Sequence, residues 1–267
     1  MGCSSRPIRE KAVSTLITYE HPLNERIRTF LRLEHQFGQL DHFIHQEDPK
    51  ATRAAIAALL EIISITARAD VKNDILKELD RHLGTLSGMT NQRGIDPEAL
   101  EQLLTDMRRA IEAIQNIPGP IGHTSREDDF LKGIAQRSSI PGATCSFDLP
   151  HFHHWLTQPS EVHQERFGNW LHDLRPAMDG IQLILMLIRS SGTSRRILAE
   201  GGFFQEALDA QLPAQILRVG VDAETGIFPE ISGHKNRFSI RFMNAEPRGR
   251  ASQHNEDVNF RLTCCVF

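Results

Sequence analysis

The chain has 267 residues, of which 40% are hydrophobic and 24% charged, and its net charge is -4. These values are ordinary for a soluble globular protein and allow one large domain or two smaller ones, each with its own core. The small negative charge argues against a general nucleic-acid binder, although it is compatible with a local basic patch.

The number and spacing of the cysteines indicate whether the protein folds in an oxidising or a reducing compartment. They show neither the CxxC spacing of a metal or redox pair nor the density of a secreted disulfide scaffold. We therefore expect reduced thiols in a cytosolic protein. The four residues are Cys3, Cys145, Cys264 and Cys265. The last two are neighbours on a predicted strand, so their side chains should point to opposite faces, one toward the core and one toward the surface.

The amino-terminal segment and the most apolar run do not indicate a membrane anchor. Arg6 lies where a myristoylation signal needs Ser or Thr, and we interpret residues 1–13 as a disordered tail. The run IQLILMLI at 181–188 is far shorter than the roughly 20 residues of a membrane-spanning helix. We interpret it as a buried core helix.

The first half of the chain predicts one strand followed by helices. Residues 14–21 are rich in β-branched side chains and predict a short strand. Apolar residues then recur at helical spacing, and the dipeptides Asp48-Pro49 and Asp96-Pro97 have the N-cap and first-turn chemistry of helix starts. The predicted helices are 23–44, one beginning at Pro49, 71–86, and one beginning at Pro97.

The middle of the chain predicts further helices and one additional strand. A short helix is expected near 126–136, a strand at 143–147, and a helix beginning at Pro150. The apolar stripe from Phe167 to Ile188 predicts a single helix of about six turns.

The end of the chain changes to β-type patterning. RSSGTSRR at 189–196 is small and polar and marks a boundary, and the helical period is absent beyond residue 214. Four short β-type segments follow: QILRVGV, FPEIS, RFSIRFM and VNFRLTC. Because a lone strand leaves its backbone groups unpaired, we expect the amino-terminal strand to join them.

The predicted fold class is therefore α+β, with a mostly α-helical bundle domain and a smaller antiparallel β-domain completed by the amino-terminal strand. The expected division assigns 14–21 and 193–267 to the β-domain and 22–192 to the helical domain, with 140–150 contributing a further strand to the sheet.

Histidines are the main candidates for metal or catalytic chemistry, because the chain has 13 of them. His153 and His154 are adjacent and must diverge on a helix, which leaves His151 without converging partners. His42 and His45 can share a helical face, but no third ligand is evident. We therefore favour polar surface residues and expect no metal and no cofactor. The GxSxG, HExxH and Gly-rich phosphate-loop motifs are absent, so no catalytic residue is assigned.

One segment, GHKNRFSIRFM at 233–243, has an unusually positive face. In a strand its side chains alternate, which places Lys235, Arg237 and Arg241 on one face and its apolar residues on the other. Arg218 and Arg261 interrupt neighbouring β-type segments, and we expect them on the same solvent-facing sheet. From 231 to 267 there are six Lys or Arg against three Asp or Glu. The residues alone leave two interpretations open, a solvated outer face and a carboxylate-binding face.

Several segments resemble the ZapD family of bacterial cell-division proteins associated with FtsZ: ITYEHPLNERIRTFLRLEHQF, SFDLPHFHHWL, PEISGHKNRFSIRFM and the terminal FRLTCC. The resemblance extends from about Thr15 to Cys265. It implies a non-enzymatic homodimer with an α-helical domain and a β-domain. It also implies that the protein binds the C-terminal tail of FtsZ, the tubulin-like division GTPase, and cross-links its filaments into the Z-ring, in the cytoplasm at mid-cell.

The resemblance further implies that the FtsZ tail docks on basic residues of the β-domain. Arg237 and Arg241 fit this role best, and Lys235 and His234 come next. The remaining candidates are Arg137, Arg218 and Arg261.

Two hypotheses from other classes stay open. The first is a single-stranded nucleic-acid binder that uses the same basic sheet face, although alternation sends the phenylalanines of the segment to the opposite face, where they cannot stack beside the charges. The second is a metal-dependent enzyme built on His151, His153 and His154. The residues of the dimer interface are not indicated by the sequence.

Overall fold

The computed structural model describes residues 15–68, 70–89, 94, 96–209, 211–234, 236–246 and 248–267. The predicted tail at 1–13 and the candidate Lys235 lie outside these residues, and His234 is described by its backbone.

The described residues form nine α-helices: α1 (Glu25–Ile44), α2 (Pro49–Arg68), α3 (Val71–Ser87), α4 (Pro97–Gln115), α5 (His123–Glu127), α6 (Asp129–Ser138), α7 (Pro150–Leu156), α8 (Ser160–Leu171) and α9 (Arg175–Ser190). They also form eight strands: β1 (Leu16–Pro22), β2 (Arg195–Ala199), β3 (Phe203–Ala207), β4 (Ile216–Asp222), β5 (Ile227–His234), β6 (Arg237–Asn244), β7 (Ser252–Gln253) and β8 (Val258–Cys265).

The chain divides into two compact units. The helical unit spans Arg28–Leu187, and the β-unit combines β1 and the start of α1 with everything from Ile188 onward. The predicted α+β class is confirmed, including the amino-terminal strand, because β1 pairs antiparallel with β4 and Leu16 lies opposite Asp222.

The β-unit contains two antiparallel sheets. Sheet A has the strand order β1-β4-β8-β2, and sheet B has the order β3-β6-β5 with β7 added to β6. Apolar side chains of both sheets form one buried core, in which the rings of Phe242 in sheet B and Phe260 in sheet A have centroids 5.1 Å apart. Since the inner faces pack on each other, the outer faces of the two sheets point in opposite directions.

The EHPLN stretch at 20–24, within the segment ITYEHPLNERIRTFLRLEHQF, forms the end of β1 and the link to α1 inside the β-unit. Asn24 Oδ1 accepts a hydrogen bond from the Ile27 amide, and Asn24 Nδ2 donates to Gln215 Oε1 at 2.6 Å. An Asn in this position caps the first turn of a helix. Leu23 is buried, and it packs so closely against Gly233 that a Cβ there would lie 2.8 Å from Leu23 Cδ2.

The chain passes from sheet A to sheet B at Gly201 and Gly202, which both have positive φ. At Gly202 φ is +72°, and a Cβ would lie 1.9 Å from the His254 carbonyl oxygen. Only glycine tolerates this backbone conformation together with such a close approach. These glycines therefore form the corner between the sheets.

In the helical unit, the two predicted aspartate caps are confirmed. The Ala51 amide donates to Asp48 Oδ2, and the Glu98 amide donates to Asp96 Oδ1. The predicted six-turn helix is wrong, because α8 and α9 are separated by a turn at 172–174. Pro176 explains the break, since it lacks an amide hydrogen and its ring would clash with the carbonyl one turn earlier.

The strand predicted at 143–147, and with it a sheet contribution from 140–150, is also wrong. This segment forms successive turns, with the Ala143 amide donating to the Ile140 carbonyl and the Cys145 amide to the Gly142 carbonyl. Gly142 has a φ of +78°, which suits a turn and interrupts an extended chain. Arg53 Nη1 donates to the Thr144 carbonyl at 2.6 Å and holds these turns against α2.

Candidate functional site

β6 is the central strand of sheet B, and its side chains alternate as predicted. Arg237 and Arg241 are exposed, whereas Phe238, Ile240 and Phe242 are at most 2% exposed and belong to the core. The three buried side chains fix the strand, so the two arginines project from a rigid support. A guanidinium held in this way loses less conformational freedom on binding than one on a mobile loop.

The neighbouring strands add an apolar and an acidic group to the same face. Arg241 lies opposite Phe203 of β3 and opposite Glu230 of β5. Residues directly opposite in an antiparallel pair share a face. Phe203 is 39% exposed, so part of its ring is accessible on this face.

A depression of about 410 Å³ lies at this place, lined by Phe203, Glu230, Ile231, Ser232, Ser239 and Arg241. Sequence reasoning missed Phe203 because β3 was not predicted. The apolar pair in FFQEA, directly after the two glycines, was the available signal.

The two arginines of β6 are not engaged by acids of the described chain. No carboxylate of the described residues lies within ion-pair distance of Arg237 or Arg241, and Glu230, although opposite Arg241 in register, makes no ion pair with it. Five N–H donors per guanidinium are therefore available for a ligand that carries carboxylates or phosphates.

Arg218 does not share the face of Arg237 and Arg241, and the prediction of one common sheet is wrong. Arg218 belongs to β4 in sheet A, and its Nε lies 3.0 Å from Glu20 Oε1 of β1. Glu20 also accepts two hydrogen bonds from Arg189. The charge of Arg218 is therefore used within the β-unit.

Arg261 is likewise in sheet A, on β8, where it is exposed and lies opposite Arg196 of β2. Sequence reasoning missed Arg196 because it interpreted the segment as a polar boundary. The separation of these arginines from those of β6 reflects long-range strand pairing, which alternation within one strand does not reveal.

Of the other two candidates, His234 is the register partner of Arg237 at the end of β5. Arg137 lies in α6 of the helical unit, where its Nη1 is 3.3 Å from Asp148 Oδ1. That contact gives Arg137 an ionic partner within its own unit.

Histidines and cysteines do not converge in the part of the chain that the structure describes. No group of three or more His, Cys, Asp or Glu is arranged there to hold a metal ion. His151, His153 and His154 are exposed on α7, and the His151 ring packs edge-on against Phe130 at 4.9 Å between centroids.

The prediction that one carboxy-terminal thiol is at the surface is wrong. Cys264 is half-buried against the core, and Cys265, on the other face of β8, is fully buried. Burial raises the pKa of the Cys265 thiol to about 11, which keeps it protonated and unreactive at neutral pH.

Among the described residues, every helix is too short or too polar to cross a membrane.

Comparison with known proteins identifies the family. A family model described as "ZapD: Cell division protein" matches residues 31–241. The cell division protein ZapD of Methylococcus capsulatus is 44% identical over 251 residues, which cover 94% of this chain and 98% of that relative. The ZapD proteins of Nitrosomonas europaea and Nitrosomonas eutropha are 38% and 39% identical to this chain. Each alignment covers 94% of this chain, and the two cover 95% and 99% of the respective relative. The chain therefore belongs to the ZapD family of cell division proteins, and its role lies in cell division.

Proposed function

We propose that the protein is a non-enzymatic division factor that binds the C-terminal tail of FtsZ through the outer face of sheet B. As a homodimer it cross-links FtsZ filaments and promotes Z-ring assembly, in the cytoplasm at mid-cell. The identity of the partner rests on the family resemblance, and the choice of surface rests on the geometry of β6.

The observation that carries the proposal is the pair Arg237 and Arg241 on one rigid strand, exposed and without an acidic partner in the described chain. An acidic peptide lying along β6 would place carboxylates on both guanidinium groups. The depression beside Phe203 would take an apolar side chain of the same peptide. Glu230 at its rim would favour a peptide that also carries a cation.

Dimerisation turns weak tail binding into filament bundling. A two-fold dimer presents two identical sites, and an FtsZ polymer presents many tails, so a second attachment occurs at high effective concentration. Because the tail contacts are mainly ionic and exposed, both tail binding and bundling should weaken as salt increases.

The test is co-sedimentation with FtsZ polymers. The double variant Arg237→Glu with Arg241→Glu should fold normally and sediment with FtsZ much more weakly than the wild type. The matched control, Arg248→Glu with Arg250→Glu, changes the same charge at exposed positions of the β-unit and should sediment like the wild type. Wild-type sedimentation of the first variant would reject the site.

Phe203 gives the nucleic-acid alternative a specific observation in its favour, because an exposed aromatic ring beside Arg241 is the arrangement on which single-stranded bases stack. Glu230 on the same face argues against nucleic-acid binding, because its carboxylate would repel phosphates.

A gel-shift assay with single-stranded DNA and RNA at physiological salt distinguishes the two functions, and we expect no shift. A shift that Phe203→Ala abolishes would favour the nucleic-acid function.

A further inference from the structure

The outer face of sheet A carries a second pair of arginines, which the proposed function does not use. Arg196 of β2 and Arg261 of β8 lie directly opposite each other and are both exposed. Side chains in this relationship have Cβ atoms roughly 5 Å apart, so both guanidinium groups can reach one anionic group.

This pair is electrostatically unfavourable as it stands. Like charges directly opposite each other destabilise a sheet. Among the described residues, no carboxylate lies within ion-pair distance of Arg196 or Arg261, in contrast to Arg218 and Arg189, which share Glu20 on the same sheet. An anion bound between Arg196 and Arg261 would relieve the repulsion and receive up to two bidentate hydrogen-bonding forks.

The surroundings favour a peptide over a simple anion. A depression of about 230 Å³ adjoins the arginines, and Leu16, Gly220, Asp222 and Asn259 help to line it. Gly220 leaves room there because it has no side chain, and Leu198, two residues from Arg196, is 46% exposed on the same face. Leu16 and Leu198 can contact apolar side chains of a peptide, and the Asn259 side-chain amide can form hydrogen bonds with the peptide's backbone. Asp222 would repel a polyphosphate. It would attract a basic side chain in a peptide that also carries carboxylates.

We propose that Arg196 and Arg261 form a second binding site for an acidic, partly apolar peptide, and that its ligand is a further FtsZ tail. This inference rests on the proposed function for the identity of the peptide. Because the outer faces of sheets A and B point in opposite directions, one chain would hold two tails on opposite sides of its β-unit. A single chain would then bridge two tails, and a dimer would hold four.

The test is the number of tail peptides bound per chain at saturation. A fluorescently labelled synthetic peptide of the FtsZ C-terminal tail is titrated into the full chain and measured by equilibrium dialysis. We expect two peptides per wild-type chain, one after Arg196→Ala with Arg261→Ala, and one after Arg237→Glu with Arg241→Glu. The control Arg248→Ala with Arg250→Ala should still bind two, and thermal unfolding checks that each variant is folded.

The outcomes separate the two sites. One peptide per wild-type chain, lost on changing Arg237 and Arg241 and unaffected by changing Arg196 and Arg261, would overturn the second site and leave the proposed function standing. One peptide lost only on changing Arg196 and Arg261 would support this site and reject the surface on β6. Absence of binding to the wild-type chain would overturn both. The proposal requires two peptides per wild-type chain, and this number is measured without any variant.

Discussion

Arg189 and Glu20 form a bidentate ion pair between the end of α9 and β1. Arg189 Nε donates to Glu20 Oε1 at 2.9 Å, and Arg189 Nη2 donates to Oε2 at 2.7 Å. The Nε of Arg218 lies 3.0 Å from the same Oε1. One carboxylate therefore balances two guanidinium groups that are only about a third exposed or less.

Replacing Glu20 should destabilise the β-unit. Glu20→Gln removes the negative charge that Arg189 and Arg218 share, and we expect the free energy of unfolding to fall by about 2 to 3 kcal/mol. Urea denaturation measures the effect. Glu256→Gln, at an exposed turn of the same unit, is the matched control and should change the midpoint little. Equal midpoints for the two variants would show that the ion pair does not contribute.

The corner between the sheets should depend on one glycine. Gly202→Ala places a methyl group against the His254 carbonyl, and we expect a loss of about 3 kcal/mol or more, or failure of the β-unit to fold. Gly226 also has a positive φ, +65°, but a Cβ there meets no atom within 4 Å. Gly226→Ala should therefore cost only about 1 kcal/mol of backbone strain. Thermal unfolding compares them, and similar losses would refute the steric explanation.

His82 should make the stability of the helical unit depend on pH. Burial and the neighbouring charge of Arg81 lower the pKa of His82 from 6.5 to about 4, although Glu78 acts in the opposite direction. Between pH 6.5 and about pH 4, the unfolded chain binds a proton at His82 that the folded chain does not. The free energy of unfolding is therefore highest above pH 6.5 and falls as the pH decreases through this range. The contribution lost between pH 7 and pH 5 is about 2 kcal/mol.

His82→Gln provides the measurement for this prediction. Urea denaturation at pH 7 and pH 5 should show a smaller acid-induced loss in the variant than in the wild type, whatever the variant's stability at pH 7. Because the other histidines are common to both proteins, the difference isolates His82. The same acid-induced loss in both proteins would contradict the lowered pKa.

Arg196 should be a position where charge reversal stabilises the fold. Arg196→Glu replaces a like-charge pair with an opposite-charge pair across from Arg261, and we expect a gain of about 0.5 to 1 kcal/mol at low salt. The gain should shrink in 1 M NaCl because both groups are exposed. Arg248→Glu, which lies outside any strand, serves as the control. A loss of stability at low salt would contradict the repulsion between Arg196 and Arg261.

Local chemistry predicted much of the fold. The caps at Asp48 and Asp96 and the alternation of β6 are encoded within a few residues, and the structure has them where they were expected. The turn between α8 and α9 was missed because the apolar period continues on both sides of it, and the decisive residue is Pro176.

The distribution of the arginines between two sheets depends on pairing at long range. The sequences ILRVGVD (β4) and VNFRLTCC (β8) contain no local signal that these two strands pair with each other and not with β6. The same limit concealed Phe203 and Arg196, whose importance comes from their register partners, Arg241 and Arg261. Alternation predicted which residues face outward, and the sheet order determined which of them are neighbours.

The central claim, that this chain acts by holding the C-terminal tail of FtsZ, is tested most directly by sedimenting FtsZ polymers with and without that tail in the presence of the protein. We expect the full chain to sediment with intact polymers and to increase their bundling, and to stay in the supernatant when the tail is deleted from FtsZ. Equal sedimentation with tailless polymers would contradict the claim.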